Sequence, residues 1–230
     1  MKHALKPAFL ATLPVMTGYL VLGFGFGLVL LEAGGNLPLA LAMSGFIYAG
    51  SMQYVAIDLL TGGATLLSAA LMTLMVNARH LFYGVSMLEK YRDAGAAKPY
   101  LIFALTDETY SLVCQEPLPV PQEIRRAYCL LVSAFDHLWW VLGTALGAAA
   151  GTVLAINTEG VDFALTALFV TVMVEQWLTA EDRVPALIGV GASVLCLVLL
   201  GAADFLIPAM LLIALLLCLY TNGRAVKRHE

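Results

Sequence analysis

Long apolar stretches follow one another along almost the whole chain, with short polar segments between them. A stretch of about 17–25 apolar residues can cross a hydrocarbon layer ~30 Å thick as a helix, which satisfies its own backbone polar groups. The pattern predicts spans over residues 7–31, 37–60, 64–88, 126–150, 162–178, 185–200 and 205–220. We expect an all-α polytopic membrane helix bundle of seven or eight transmembrane helices, in a single integral membrane domain over residues 1–230.

Residues 99–115 are the ambiguous segment of this pattern. The segment starts apolar, but Thr106-Asp107-Glu108-Thr109 interrupts it. It is either a short or broken span, or a re-entrant piece buried among the other helices. If it does not cross the membrane, one of the other predicted spans must be re-entrant too.

The composition is that of a membrane protein. Hydrophobic residues make up 61% of the chain and charged residues 12%, whereas a soluble domain has roughly 25% charged residues. The basic start resembles a signal peptide, but the apolar stretch after it continues past Leu30, so we expect a permanent span. Each cysteine stands alone in apolar sequence, and we expect no disulfide and no metal site at Cys114, Cys129, Cys196 and Cys218.

Basic residues near the ends of the spans predict the orientation. They precede the first span and the span at 126–150 and they end the chain, as Lys2, Lys6, Arg125, Arg126, Arg224, Lys227 and Arg228. With eight crossings, this pattern fits two cytoplasmic termini. The loop with Lys90, Arg92 and Lys98 would then lie outside, against the rule. Charge alone therefore does not decide the number of crossings.

A weak internal repeat relates residues 1–116 to residues 124–230. Each half has two glycines four residues apart, an acidic turn, and an apolar segment that ends in glutamine and an aromatic residue. These are Gly23, Gly27 and Gln53-Tyr54 in the first half and Gly147, Gly151 and Gln176-Trp177 in the second. Many secondary transporters consist of two related halves around a central site. The glycine spacing also predicts close packing between helix backbones.

Asn77, Arg79 and His80 lie near the middle of a stretch that is otherwise apolar. A guanidinium in hydrocarbon costs from ~2.5 to over ~10 kcal/mol, so such a group is usually shielded inside a bundle. In one interpretation, Arg79 or a helix N-terminus holds a substrate carboxylate while His80 carries a proton. In the other, Arg79 extends to the membrane surface and His80 is a satisfied core histidine.

Two further pairs of neighbouring residues are candidates for binding or proton transfer. Asp136-His137 lie deep in the span at 126–150. They either relay a proton or bind an ammonium group, or they only fix helix packing through hydrogen bonds. Asp107 and Glu108 fit a cation or ammonium site at a broken helix, and they equally fit a loop outside the membrane.

Two other side chains complete the candidate site. Trp140 lies on the same helical stripe as Asp136-His137, where it is placed to touch a substrate. Gln53, like Glu175-Gln176, lies close to a span end, where an anchoring role at the membrane surface competes with a role in binding.

Several segments together resemble the AzlC family, the large subunits of two-component branched-chain amino-acid exporters. They occur in family order from about residue 10 to 180. They are Gly18…Phe26-Gly27, Met43-Ser44-Gly45-Phe46-Ile47-Tyr48-Ala49-Gly50-Ser51-Met52-Gln53, Val76-Asn77-Ala78-Arg79-His80-Leu81-Phe82-Tyr83-Gly84, Thr106-Asp107-Glu108, Trp140-x-x-Gly143 and Gly160-Val161-Asp162-Phe163-Ala164-Leu165-x-Ala167-Leu168-Phe169.

This resemblance implies a bacterial inner-membrane protein that exports valine, leucine or isoleucine with a small AzlD-type membrane subunit. The family's Asn-x-Arg-His match carries over to Asn77, Arg79 and His80, and its Asp-Glu match to Asp107 and Glu108. The sequence has no Walker A motif, so we expect that this chain does not hydrolyse ATP itself. The buried ionisable groups favour a secondary exporter driven by the proton gradient, and we expect no cofactor and no enzymatic activity.

Two alternatives to secondary export stay open at this point. One is the membrane subunit of an ABC-type amino-acid permease, which would depend on a separate ATPase. The other is an intramembrane enzyme that uses Asp136, His137, His80 and Glu175. Against the enzyme, the chain has neither an HExxH motif nor a carboxylate–histidine spacing typical of a two-metal centre.

Overall fold

The computed structural model describes residues 2–77, 79–114, 118–153, 170, 173–174, 177–178, 180 and 182–227. All of the regular elements in these residues are helices, which confirms the all-α class for this part of the chain. The chain divides into two compact units, Met1–Leu165 and Thr166–Glu230. A single membrane domain over residues 1–230 and its division into two related halves stay predictions.

The first unit contains eight described α-helices and the second contains two. In the first they are α1 (Lys2–Glu32), α2 (Leu37–Phe46), α3 (Gly50–Thr61), α4 (Leu66–Asn77), α5 (Arg79–Met87), α6 (Lys98–Phe103), α7 (Asp107–Val113) and α8 (Arg125–Val153). Short 3-10 turns lie at Gly95–Ala97 and Gln122–Ile124. The second unit has α9 (Val184–Asp204) and α10 (Leu206–Lys227).

Some helices in the described residues are long and apolar enough to cross a membrane. They are His3–Glu32, Gln122–Val153 and Val184–Gly201, and they coincide with three of the predicted spans. Gly201, with a non-helical φ of 77°, marks the boundary predicted between the last two spans. The predicted span at 162–178 lies almost wholly outside the described residues, and the count of seven or eight crossings is not confirmed.

α1 and α8 run side by side in the same direction and form the centre of the first unit. Glycines allow this approach, because a Cβ atom at Gly143 would lie 2.7 Å from the carbonyl oxygen of Tyr19. Gly147 comes closer still, against the carbonyl group of Phe24. The small-residue spacing in the sequence is therefore confirmed as a contact between helix backbones.

The two ends of the α1–α8 pair differ in charge. Where both helices begin, Ala4 and Ala8 pack with Met87 and Tyr128 in a buried apolar cluster. The segments that meet here carry Lys6, Lys90, Arg92, Lys98, Arg125 and Arg126, and this end is named the basic end below. The opposite end, where α1 and α8 finish, is named the far end.

The second predicted span is two helices, α2 and α3, joined by an irregular segment. Tyr48 in this segment has a φ of 45°, which non-glycine residues rarely adopt. Tyr48 lies beside Tyr19 of α1. Further along α3, Tyr54 contacts residues that come later in α1. Its hydroxyl donates to the carbonyl of Leu22 at 2.8 Å, and its ring packs against Phe26. α3 therefore runs back toward the far end, from which α2 came. The prediction of one continuous span over residues 37–60 was therefore wrong, and α2 and α3 form a re-entrant pair.

The ambiguous segment at 99–115 forms α6 and α7, a second re-entrant pair. It starts at the basic end, where Gly95 packs against Arg126 just before α6. Its turn reaches Tyr19 through Thr106, and α7 returns until Val113 joins the basic-end cluster. Of the two alternatives for this segment, the structure has the re-entrant one. If residues 99–115 do not cross the membrane, another predicted span must be re-entrant too, and that segment is α2–α3.

α4 and α5 carry the chain from the far end to the basic end. They cover the predicted span at 64–88, apart from residue 78, which is not described. α4 begins shortly after Thr61, the last residue of α3, and α5 ends at Met87 in the basic-end cluster. Arg79 therefore lies about midway along α1 and α8.

Replacing Gly147 by alanine is expected to destabilise the first unit, because the added carbon would meet the backbone of Phe24. Overpacking of this kind costs typically ~1–3 kcal/mol. Gly18→Ala is the matched control in α1, because nothing lies within 4 Å of its added carbon, and it should be neutral or slightly stabilising. Thermal unfolding of the purified variants in detergent measures both. Equal melting temperatures would contradict the backbone contact.

Candidate functional site

The breaks in the two re-entrant pairs meet midway along α1 and α8. The ring of Tyr48, between α2 and α3, lies 6.1 Å from that of Phe103 at the end of α6, centroid to centroid. Thr106, between α6 and α7, has its Oγ1 2.7 Å from the Tyr19 hydroxyl in α1. Irregular backbone at membrane depth occurs where it is buried in protein or lines a polar cavity. The polar cluster at this meeting point consists of Tyr19, Tyr48, Arg79, Thr106, Asp107, Glu108, Thr109 and Asp136.

Arg79 links three helices in the polar cluster. Its Nη1 forms an ion pair with Asp107 Oδ2 at 2.5 Å, and its Nη2 donates to Ser51 Oγ in the first turn of α3 at 3.2 Å. This geometry holds the guanidinium at the level of the helix breaks. It favours the interpretation in which Arg79 takes part in a site over the one in which it extends to the membrane surface.

Asp136 is fully buried, with 0% exposure. Thr109 Oγ1 donates to its Oδ2 at 2.8 Å, and Thr109 is itself fixed because Thr106 caps the start of α7 by accepting from the Thr109 N–H. The second oxygen, Oδ1, has no hydrogen-bond partner among the described residues. An unsatisfied buried polar atom costs about 1–3 kcal/mol. Oδ1 is therefore a strong candidate for contact with a ligand.

Other buried polar atoms around Asp136 also lack partners. Within the described part of the chain they are Arg79 Nε, Asp107 Oδ1, the Tyr48 hydroxyl and Ser133 Oγ. Glu108 differs, because its Oε2 accepts from the Tyr19 hydroxyl at 2.7 Å. The cluster thus presents unpaired acceptors on two carboxylates and an unpaired donor on a guanidinium. This set complements a small ligand that carries both an ammonium and a carboxylate group.

His137 holds the two breaks together and is engaged at both ring nitrogens. Its Nε2 lies 3.2 Å from the carbonyl oxygen of Ser44, which can only accept, so Nε2 donates. Its Nδ1 lies 3.2 Å from the Tyr100 hydroxyl, and its ring packs on Tyr48 with centroids 4.2 Å apart. The structure therefore separates the predicted pair: Asp136 faces the cluster, and His137 fixes helix packing.

Gln53 and Trp140 form a second structural link beside the cluster. The Trp140 indole N–H donates to Gln53 Oε1 at 2.9 Å, and Gln53 Nε2 donates to Ser44 Oγ at 3.0 Å. Ser44 Oγ in turn lies 2.8 Å from Thr144 Oγ1. Gln53 has 0% exposure, so the alternative that it anchors the chain at the membrane surface is wrong. The Trp140 ring packs against Gly50, and this explains why α3 starts with a glycine.

Asn77 and His80 form no hydrogen bond with the polar cluster among the described residues, and the His80 ring packs edge-on against Tyr83 with centroids 5.8 Å apart. His80 Nδ1 lies 3.1 Å from the carbonyl oxygen of Asn77 one turn earlier. His80 also lines a mainly apolar groove of about 390 Å³ together with Gly84, Ile102 and others. Adjacent residues on a helix point about 100° apart, so His80 faces this groove while Arg79 faces the polar cluster. Glu175 and Gln176 lie outside the described residues.

Sequence reasoning missed Tyr19, Tyr48, Thr106 and Thr109 as members of the cluster. A hydroxyl in an apolar helix is common, because it can bond to its own backbone, and it carries no signal of a site. The segment Tyr48-Ala49-Gly50-Ser51 was the available signal, since a glycine flanked by polar residues inside an apolar stretch favours a break.

A family model described as AzlC protein matches residues 14–154, which is more than half of the chain and includes the whole polar cluster. The chain belongs to the AzlC family. This AzlC chain is 43% identical over 211 residues to the Branched-chain amino acid transport protein AzlC of Bacillus subtilis, covering 91% of this chain and 82% of that protein. No solved structure matches it.

More distant relatives of this AzlC chain carry less specific names. It is 38% identical to an uncharacterized membrane protein of Haemophilus influenzae, over 94% of this chain and 88% of that protein. It is 27% identical to the inner membrane protein YgaZ of Escherichia coli, over 87% and 82%. Together with the long apolar helices, these relatives identify the AzlC chain as a membrane protein.

The Gln53–Trp140 hydrogen bond predicts non-additive effects on stability. Gln53→Leu leaves the buried indole N–H without an acceptor, at a cost of about 1–3 kcal/mol. Trp140→Phe removes the donor instead. The double variant should be less destabilised than the sum of the single variants by ~0.5–3 kcal/mol, because neither partner is then left unpaired. Thermal unfolding of the four proteins tests this, and additive effects would contradict a direct bond.

Proposed function

We propose that this protein is a secondary active exporter of branched-chain amino acids across the bacterial inner membrane. The observation that carries the proposal is the set of unpaired atoms in the polar cluster, on Arg79, Asp107 and Asp136. Unpaired groups of both signs at the meeting of two re-entrant pairs are what a zwitterion would satisfy. The choice of substrate rests on the Bacillus subtilis relative, which is named as a branched-chain amino acid transport protein.

Each part of an amino acid has a matching group in the cluster. The substrate ammonium would be bound by Asp136 Oδ1 and Asp107 Oδ1, and the carboxylate by Arg79 Nε. The aliphatic side chain would pack on the rings of Tyr19, Tyr48 and Phe103. Apolar surface with a few fixed polar groups is the usual lining of a small-molecule site.

Proton coupling would follow from competition at one carboxylate. A proton on Asp136 and a substrate ammonium on Asp136 both neutralise the same buried charge, so binding of one would release the other. Asp136 fits this role better than His80, because His80 lines an apolar groove away from the cluster. Export as the direction, and a small AzlD-type subunit as partner, rest on the family resemblance.

The charge distribution supports an orientation with the basic end in the cytoplasm. In residues 1–165, every lysine and arginine except Arg79 lies in a segment that meets at the basic end. The far-end segments carry the acidic Glu32 and Asp58 instead. The N-terminus would then be cytoplasmic. The re-entrant α2–α3 pair removes the earlier conflict, because α4–α5 then returns the chain, and the loop with Lys90, to the side of the N-terminus.

Cysteine labelling would test this orientation. Exposed positions at the far end, Ala33→Cys and Ala64→Cys, should react with an impermeant thiol reagent from the periplasm. Asp93→Cys and Gln122→Cys at the basic end should react from the cytoplasm. Finding residues 33 and 64, or residues 93 and 122, on opposite sides would contradict the re-entrant arrangement. A full reversal of sides would contradict only the orientation.

Transport of labelled valine in proteoliposomes, with and without the small subunit, would test the function. Asp136→Asn and Arg79→Gln should each lower transport ~10- to 100-fold, because each removes a charged hydrogen bond worth about 1.5–3 kcal/mol. Asp58→Asn, an isosteric change at the exposed far end, is the matched control and should leave transport unchanged. Wild-type transport should fall when the pH gradient is collapsed.

Different outcomes of the transport assay separate the parts of the proposal. Full activity of Asp136→Asn and Arg79→Gln would remove the polar cluster as the binding site. Valine transport that ignores a collapsed pH gradient would remove proton coupling and leave the site standing. Lack of transport of any branched-chain amino acid, with and without the partner, would remove the substrate class.

A further inference from the structure

A separate polar chamber lies at the basic end of the first unit. It has a volume of about 600 Å³, is open on one side, and is lined by the loop after α5, the end of α7 and the start of α8. Charged side chains of both signs line it, namely Lys90, Arg125, Arg126, Glu89 and Asp93. A volume of this size holds an amino acid together with water.

Tyr91 gives independent support for a ligand in the chamber. Its side chain lines the chamber and is only 3% exposed. Its hydroxyl has no hydrogen-bond partner among the described residues. A buried phenol left unpaired beside charged groups fits a chamber that receives a polar solute.

Two stacked tyrosines lie between the chamber and the polar cluster along α7. Tyr110 lines the chamber, and its ring is stacked on that of Tyr83 with centroids 4.7 Å apart and planes 18° apart. On the other side, Tyr83 is close enough to Asp107 and Arg79 to interact with both. Asp107 and Tyr110 are one turn apart on α7, so the order from cluster to chamber is Asp107, the tyrosine pair, and the chamber.

We propose that the chamber is the basic-end entrance for a zwitterionic amino acid, and that the stacked Tyr83–Tyr110 pair is the barrier between this entrance and the polar cluster. The inference rests on the proposed function for the identity of the solute. The position of the barrier rests on geometry alone. The inference adds to the site a polar chamber at the basic end, and two residues that control passage from this chamber to the polar cluster.

The hydrogen bond that holds the Tyr110 side chain is a weak one. Tyr110 packs on Tyr83 and against the basic-end apolar cluster, and its hydroxyl accepts from Ser86 Oγ at 3.1 Å. This bond is exposed, and Ser86 Oγ also donates to the carbonyl of Tyr83 at 2.9 Å. An exposed neutral hydrogen bond contributes only about 0.5–1.5 kcal/mol. A rotation of the Tyr110 ring would therefore join the chamber to the cluster without unfolding α7.

Thiol labelling with two reporter cysteines tests the barrier and needs no transport assay. The native Cys114 lines the chamber, and Ser51→Cys places a thiol beside Arg79 in the cluster. Each is kept as the single cysteine in a full-length variant, and an impermeant reagent is applied to inside-out and right-side-out vesicles. Cys114 should react quickly from the basic-end side. The cysteine at position 51 should react slowly from that side.

Tyr110→Ala should raise the labelling rate at position 51 by about tenfold or more from the basic-end side, because a closed barrier leaves its open form only ~0.1–10% populated. Tyr110→Phe keeps the stack and should change the rate little. Tyr83→Ala is the second variant and should act like Tyr110→Ala. Phe9→Ala removes a ring from the outer side of α1, where it packs on Phe135, and is the matched control.

Three results would overturn the inference. The first is a Cys114 that does not react from the basic-end side, since the chamber would then be no entrance. The second is a rate at position 51 that stays the same in folded Tyr110→Ala and Tyr83→Ala. The third is an equal increase in Phe9→Ala, which would indicate general loosening. The labelling assay does not measure transport, so it tests the barrier even if the protein does not transport valine.

Discussion

The glycine-lined contact between α1 and α8 is the interaction on which the site depends. Lipid tails are as apolar as leucine, so helices in a membrane gain little from hydrophobic burial and associate through close packing. The contact fixes Tyr19 on α1 against Trp140 on α8, one turn after Asp136 and His137. These side chains then receive the two re-entrant pairs from opposite ends. A looser contact would move every group in the polar cluster.

Backbone groups left free by the breaks impose the second constraint, because water is not present to satisfy them at membrane depth. The chain meets this constraint with side chains. Thr106 caps α7, and His137 donates to the Ser44 carbonyl at the end of α2. Gln53 ties α3 to α2 and α8 through buried hydrogen bonds. The polar atoms that stay unpaired then concentrate where a substrate would bind.

The sequence identified most of the charged groups in the site but not their arrangement. Arg79, Asp107 and Asp136 were found because ionisable residues in apolar sequence are costly and therefore noticeable. The ion pair between Arg79 and Asp107 was not predictable, since it joins residues 28 positions apart across the loop after α5 and the break between α6 and α7. His80 was expected to act with Arg79. It faces an apolar groove instead, because neighbours on a helix point about 100° apart.

The order of apolar and polar residues by itself determined that this chain is a helical membrane protein, because hydropathy and backbone hydrogen bonding are local properties. Local pattern also gave the positions of α1, α8, α9 and α10. Only the tertiary structure decided that residues 37–61 and 98–113 turn back midway along the bundle. A broken helix and a spanning helix have similar composition, and packing against α1 and α8 selects between them.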